Sequence, residues 1–131
     1  MKTPMYYEAD VLAFFSGKPL EMELYNTLFR RMEEIFSDAS VKVQKSQISF
    51  YGRHLFSAVS LPLRRKKNWP EHCIVVTIGL SHPLESPQTA VSMEPYPGRW
   101  TNHVLISEAA QIDEDLLEWL KEAWVFAESK R

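Results

Sequence analysis

The stretch Gln47–Leu61 has the sequence QISFYGRHLFSAVSL, and its pattern decides the fold. Apolar and polar residues alternate over Ile48–Tyr51, which is typical of a strand with one buried side. Gly52 follows, where a two-residue hairpin loop favours a positive φ. A second run, Leu55–Leu61, leads back until Pro62, which cannot donate a ladder hydrogen bond. The stretch therefore predicts a β-hairpin.

Composition predicts one cytoplasmic domain spanning residues 1–131. The hydrophobic fraction is 45%, the charged fraction 24% and the net charge −2, which is ordinary for a globular chain. Cys73 is the only cysteine, so no disulfide can form within the chain. The N-terminus lacks the apolar segment of a secretory signal. The most apolar run, Cys73–Leu80, is far shorter than a membrane-spanning helix, so we expect no membrane partner.

Three helices are expected around the hairpin. Tyr6–Ser16 forms a short one, which Gly17 can end in the left-handed conformation. Pro19 suits the first turn of a longer helix. Apolar residues then recur at nearly helical spacing, at Leu20, Leu24, Leu28, Met32 and Ile35. Asp113 is a candidate N-cap for a C-terminal amphipathic helix.

Further strands are predicted on both sides of the hairpin, at Val41–Gln44, Cys73–Leu80, Ala90–Met93 and Asn102–Ser107. The valines of the first are out of phase with Ile48, so we expect a bend or bulge near Lys45-Ser46. Ser81–Thr101 is otherwise expected to be a long loop. The fold class is therefore α+β: a mainly antiparallel sheet of four to six strands with helices packed on one face.

The chain also resembles a known family through several short motifs in a fixed order. They are Phe15–Pro19, Leu24-Tyr25, Lys45–Phe50, Phe56–Val59, Glu94–His103 and Asp113–Leu120. In this order they are similar to the bacterial domain-of-unknown-function 5655 family, from about Phe15 to Ala127. The resemblance implies a small cytoplasmic domain, and it implies no catalytic residues.

The first candidate site is the segment Glu94–His103. Its prolines restrict φ and lower the entropy cost of ordering. Such a segment can hold an arginine and a histidine beside an aromatic wall, which suits a small anionic molecule or a peptide. The expected ligand-binding residues are Glu94, Tyr96, Arg99, Trp100 and His103. In the alternative interpretation the aromatic residues plug the end of the sheet and Arg99 pairs with Glu94.

A second candidate set surrounds the hairpin and adds Lys45, Tyr51 and Arg53 to the expected ligand-binding residues, with His54 beside them. Together with Ser57 and Thr77 they are expected to line an open polar face of the sheet. The alternative is a solvated face and turn without a ligand.

The third candidate is a basic loop that can grip phosphates and stack one base. It consists of Arg64, Arg65, Lys66, Lys67 and Trp69. The alternative is a solubilising loop that discourages edge pairing.

The leading hypothesis is a small binding or interaction domain of unknown ligand that uses Glu94–His103 and the adjacent sheet face. The alternative is a nucleic-acid-associated accessory domain that uses the basic loop, and the least favoured is a hydrolase-type enzyme with a histidine base. The four histidines have no metal-site spacing and no nucleotide motif occurs, so we expect no metal and no cofactor. The sequence leaves homodimerisation open.

Overall fold

The computed structural model describes residues 1–130 as three α-helices, six strands and one 3-10 turn. The helices are α1 (Tyr7–Phe14), α2 (Pro19–Ile35) and α3 (Glu114–Glu128), and the 3-10 turn is Ala109–Gln111. The strands are β1 (Ser40–Val43), β2 (Ile48–Tyr51), β3 (Leu55–Ser60), β4 (Ile74–Leu80), β5 (Thr89–Tyr96) and β6 (Arg99–Ile106).

The six strands form one antiparallel sheet in the order β1-β2-β3-β4-β6-β5. Each of the pairs β1–β2, β2–β3 and β5–β6 is a hairpin, and β4 lies between β3 and β6. The predicted α+β class and mainly antiparallel sheet are confirmed, with the strand number at the top of the predicted range.

The core lies on one side of this sheet. Alternate strand residues such as Phe50, Val76 and Val104 are buried in a single cluster with residues of all three helices. Leu28 of α2 and Leu120 of α3 are both completely buried there. The helices therefore cover the same side of the sheet, as the sequence predicts. We call this the helix side and the opposite surface the open side.

The chain reverses between β1 and β2 instead of bending as the sequence analysis expects. Val43 lies opposite Ile48 in the antiparallel register, and the Gln44 N–H donates to the Gln47 carbonyl at 2.9 Å. Because the chain reverses, the alternation of apolar and polar residues in β1 need not continue in step into β2. Both strands therefore present apolar residues to the core without a bulge.

The strand predicted at Ala90–Met93 is confirmed as part of β5, but the long loop predicted around it, over residues 81–101, is wrong in its second half. Residues 89–96 and 99–106 are the two arms of a hairpin. Pro97-Gly98 forms its two-residue turn, and Gly98 has φ +74°. Proline followed by a positive-φ glycine is the pattern of a type II turn. Pro95 is tolerated because β5 is an edge strand, where a missing N–H removes no ladder bond on the free side.

The helix ends follow the sequence closely. Gly17 adopts φ +74° just after α1, and Pro19 occupies the first turn of α2. The Asp113 carboxylate accepts the Leu116 N–H at 3.0 Å and so caps α3. Leu20 differs from the expectation, since it is 51% exposed at the start of α2.

Gly52 is needed for close approach and not for a positive φ. It lies in a three-residue loop in which its N–H donates to the His54 carbonyl at 3.0 Å. A Cβ atom at Gly52 would clash with Glu128 Oε1 and would lie 2.9 Å from the Trp124 ring. The Glu128 carboxylate also accepts the Arg53 N–H at 2.7 Å. The hairpin tip is therefore fixed against the C-terminal end of α3.

We predict that Gly52→Ala lowers the free energy of unfolding by about 1–3 kcal/mol, because the methyl group overpacks this contact. Chemical denaturation of the purified variant measures the change.

Gly79→Ala is the matched control. Gly79 lies in β4, and a Cβ there would meet nothing within 4 Å. Its substitution should change the free energy of unfolding by less than about 1 kcal/mol. Equal destabilisation by both substitutions would contradict the close-approach explanation.

Candidate functional site

The open side of the sheet carries mostly neutral polar and small side chains. One row across it contains Ser49, Ala58, Thr77 and His103 on neighbouring strands. None of these four residues belongs to the core cluster. All three helices pack on the opposite side. Within this row Thr77 and His103 are partly exposed, whereas Ser49 and Ala58 are buried.

His103 and Thr77 form the centre of the open side. Thr77 Oγ1 lies 2.9 Å from His103 Nδ1, a hydrogen bond between β4 and β6. Burial lowers the pKa of His103 below its ordinary value of 6.5, because a charged ring would lose solvation there. The imidazole is therefore neutral at pH 7, and it offers hydrogen bonding without charge.

Ser49 anchors the part of the open side next to β1. Its hydroxyl donates to Gln44 Oε1 at 2.6 Å and accepts from Gln47 Nε2 at 2.8 Å. These bonds cover Ser49, which is completely buried although it faces away from the helices. They also fix the β1–β2 loop at the end of the sheet that we call the lower end.

The connection between β3 and β4 lies at the same lower end, and a cavity of about 430 Å³ opens beside it. We call this the lower cavity. The β3–β4 connection, the start of β5 and the end of β6 form its walls. The lining residues are Lys66, Asn68, Trp69, Pro70, Pro87, Gln88, Thr89, Ala90, Leu105, Ser107 and Gln111.

The lower cavity combines an aromatic wall with a cation. Trp69 is partly buried and Lys66 is exposed at the rim. The Thr89 hydroxyl oxygen is buried and has no hydrogen-bond partner among the described residues. A buried polar group without a partner is costly, but this oxygen is closed to solvent, so the cavity does not expose it to a ligand. Leu105 joins the cavity to the open side, because it shares the side of His103.

Charge is divided between the two halves of the molecule. Residues 40–107, which contain the whole sheet, carry eight of the 15 Lys and Arg residues but three of the 17 Asp and Glu residues. Their net charge is thus +5, and the remaining, mainly helical, residues carry −7, which together give the overall −2. An anion approaching the sheet half meets a favourable potential that the overall charge conceals.

The first predicted set, Glu94–His103, is not brought together into one site. Trp100 pairs with buried Leu80 and alternates in step with Val104, so it lies on the helix side, whereas His103 lies on the open side. Tyr96 is 66% exposed, so it plugs nothing. Among residues 1–130 no ion pair joins Glu94 to Arg99. Glu94 instead accepts the Gly98 N–H at 3.1 Å and supports the turn.

The second set is divided along the β-hairpin. Lys45 is exposed in the β1–β2 loop at the lower end, whereas Tyr51 and Arg53 lie at the upper end. Tyr51 carries Lys42 over its ring, with Nζ 5.0 Å from the centroid. Ser57 was expected on the open face, but it lies on the helix side opposite Phe50.

The third set is the one that the structure places beside a cavity. The four cations Arg64–Lys67 are exposed along the β3–β4 connection, and Lys66 and Trp69 line the lower cavity. The sequence analysis could not find Thr89, Gln88 and Leu105, since a cavity wall built from three distant segments leaves no local pattern.

Asn102 is a second residue that the sequence analysis missed. It is completely buried, and its amide nitrogen donates to the carbonyls of Ile78 and His82, both at 3.3 Å. Its Oδ1 accepts the Leu84 N–H at 2.9 Å and the Ser92 hydroxyl at 2.6 Å. All four bonding positions of the amide are thus used, and they hold the β4–β5 connection onto the sheet.

Two further observations concern residues 1–130. They contain no group of three or more His, Cys, Asp or Glu side chains arranged to hold a metal ion. No helix in this range has both the length and the apolar character needed to cross a membrane.

We predict that His103 makes stability depend on pH. Because folding lowers the pKa of His103, the unfolded chain binds more protons than the folded chain. The contribution of His103 to the free energy of unfolding is therefore complete above pH 6.5 and is lost as the pH falls through the folded pKa. Denaturation of the wild type and His103→Gln from about pH 8 to about pH 5 should show a larger loss in the wild type. If the free energies of unfolding of the two proteins changed in parallel with pH, this prediction would be contradicted.

Comparison with known proteins gives a family and no further relative. No curated protein and no solved structure matches the chain significantly. A family model matches residues 11–127, which include the second half of α1, all of α2, the whole sheet and nearly all of α3. The chain therefore belongs to the family described as Domain of unknown function (DUF5655).

Proposed function

We propose that this chain is a binding domain whose lower cavity and adjoining open sheet face take an anionic ligand that carries a planar ring. The observation that carries the proposal is the meeting of Trp69 and Lys66 around one cavity of about 430 Å³, next to the exposed cations of Arg64–Lys67. That volume falls within the range of small-molecule sites.

Each wall of the lower cavity suits one part of such a ligand. The Trp69 ring offers a flat apolar surface on which a planar group can stack. Lys66 and the neighbouring exposed cations can bind a phosphate or carboxylate.

A binding role fits this site better than catalysis. The open-side His103 is bonded to Thr77 and not to a carboxylate. Burial raises the pKa of the Cys73 thiol, so this thiol is a poor nucleophile at neutral pH. We also propose that the chain acts in a reducing cytoplasm, because its single cysteine is free and buried and stays a thiol there.

The test is a titration of the ¹⁵N-labelled protein with adenosine monophosphate and with inorganic phosphate, followed by NMR. We expect the indole N–H signal of Trp69 and the amide signals of Gln88 and Thr89 to shift with the nucleotide. Inorganic phosphate should shift mainly the amides of the basic loop, since it has no ring to stack.

The variant Lys66→Ala/Lys67→Ala should weaken nucleotide binding by about ten-fold or more, since charged hydrogen bonds contribute roughly 1.5–3 kcal/mol. Lys18→Ala removes an exposed cation from the helical half and is the matched control. The absence of shifts around the lower cavity, or equal binding by both variants, would overturn the proposed function.

A further inference from the structure

Resting on the proposed function, we infer that the ligand of this site is a single-stranded nucleic acid. One base stacks on Trp69 in the lower cavity, and the phosphates follow the cations of the lower end, Arg64–Lys67 and then Lys45.

The arrangement of charge is longer than a small anion needs. Arg64–Lys67 are four adjacent exposed cations, although Lys66 alone lines the lower cavity. Lys45 is also exposed at the lower end, in the loop that joins β1 to β2. Adjacent strands are about 4.8 Å apart, so the row of cations along the lower end of the sheet extends roughly 15 Å from β2 to β6. A linear polyanion can use its whole length.

Few acidic residues lie beside these cations of the lower end. Glu71 is the one acidic residue in the β3–β4 connection, and the β1–β2 loop has none. The ion pairs of the described residues lie elsewhere, and none engages a cation of Arg64–Lys67 or Lys45. These cations are therefore available to replace counterions on a phosphate backbone.

The cavity favours a single strand over a duplex. Only an unpaired base can leave its stack and enter a cavity walled by Trp69 and Thr89. The open side adds neutral hydrogen-bonding groups, such as the Thr77–His103 pair, which suit the exposed edge of an unpaired base. Stacking on a tryptophan tolerates every base, so we expect weak sequence preference.

The experiment is fluorescence anisotropy with fluorescein-labelled oligothymidylates of about two, four and eight nucleotides. Affinity should rise at least ten-fold from the shortest to the longest. If about three phosphates are bound, the logarithm of the association constant should fall with the logarithm of salt concentration with a slope of about −2. A labelled duplex of the same length should bind at least ten-fold more weakly than the single strand.

Two variants separate stacking from charge. Trp69→Ala should weaken the eight-nucleotide probe about ten-fold or more and leave the salt slope unchanged, because it removes stacking alone. Arg64→Ala/Arg65→Ala should reduce the slope, because it removes phosphate contacts outside the cavity. Tyr6→Ala, which removes a 69% exposed aromatic residue from the helical half, is the control and should change neither.

The outcomes distinguish this inference from the proposed function. If adenosine monophosphate binds the lower cavity but affinity does not rise with oligonucleotide length, the nucleic-acid inference fails and the proposed function stands. Equal affinity for the duplex also overturns the inference. If neither the nucleotide nor any oligonucleotide binds, both fail.

Discussion

Burial of one side of the six-stranded sheet is the constraint on which the rest of the structure depends. Phe50, Val76 and Val104 reach the same cluster as the apolar faces of all three helices. Since strand side chains alternate, the residues between them must face the other way. The open side, with Thr77 and His103 at its centre, is therefore a direct consequence of how the core is made.

The division of charge follows the same two-layer arrangement. Most helix carboxylates are exposed, with Glu21 of α2 the buried exception, and the connections at the lower end of the sheet expose lysine and arginine. The small overall charge is thus the sum of a net charge of +5 on residues 40–107 and a net charge of −7 on the other residues. The lower cavity lies within the positive half, which is why an anionic ligand suits it and why total charge alone is uninformative here.

Local patterns in the sequence predicted the fold well and the site poorly. Alternation found the β2–β3 hairpin, and Asp113 and Gly17 marked helix ends by their own chemistry. The sequence predicted parts of β5 and β6, at Ala90–Met93 and Asn102–Ser107, but not the hairpin that joins them, because its prolines are typical of loops, yet an edge strand tolerates Pro95. The lower cavity was missed because Trp69, Thr89 and Leu105 meet only after the strands are ordered in the sheet. The roles of Arg99, Trp100 and His103 in binding remain predictions.

The most direct test of the two-sided sheet is solvent paramagnetic relaxation enhancement of methyl signals by a neutral nitroxide. Thr77 and Val76 are neighbours on β4, and Leu105 and Val104 are neighbours on β6, so each pair compares the two sides at one position. The account predicts strong enhancement for Thr77 and Leu105 and little for Val76 and Val104, which are completely buried. Equal enhancement within each pair would contradict it.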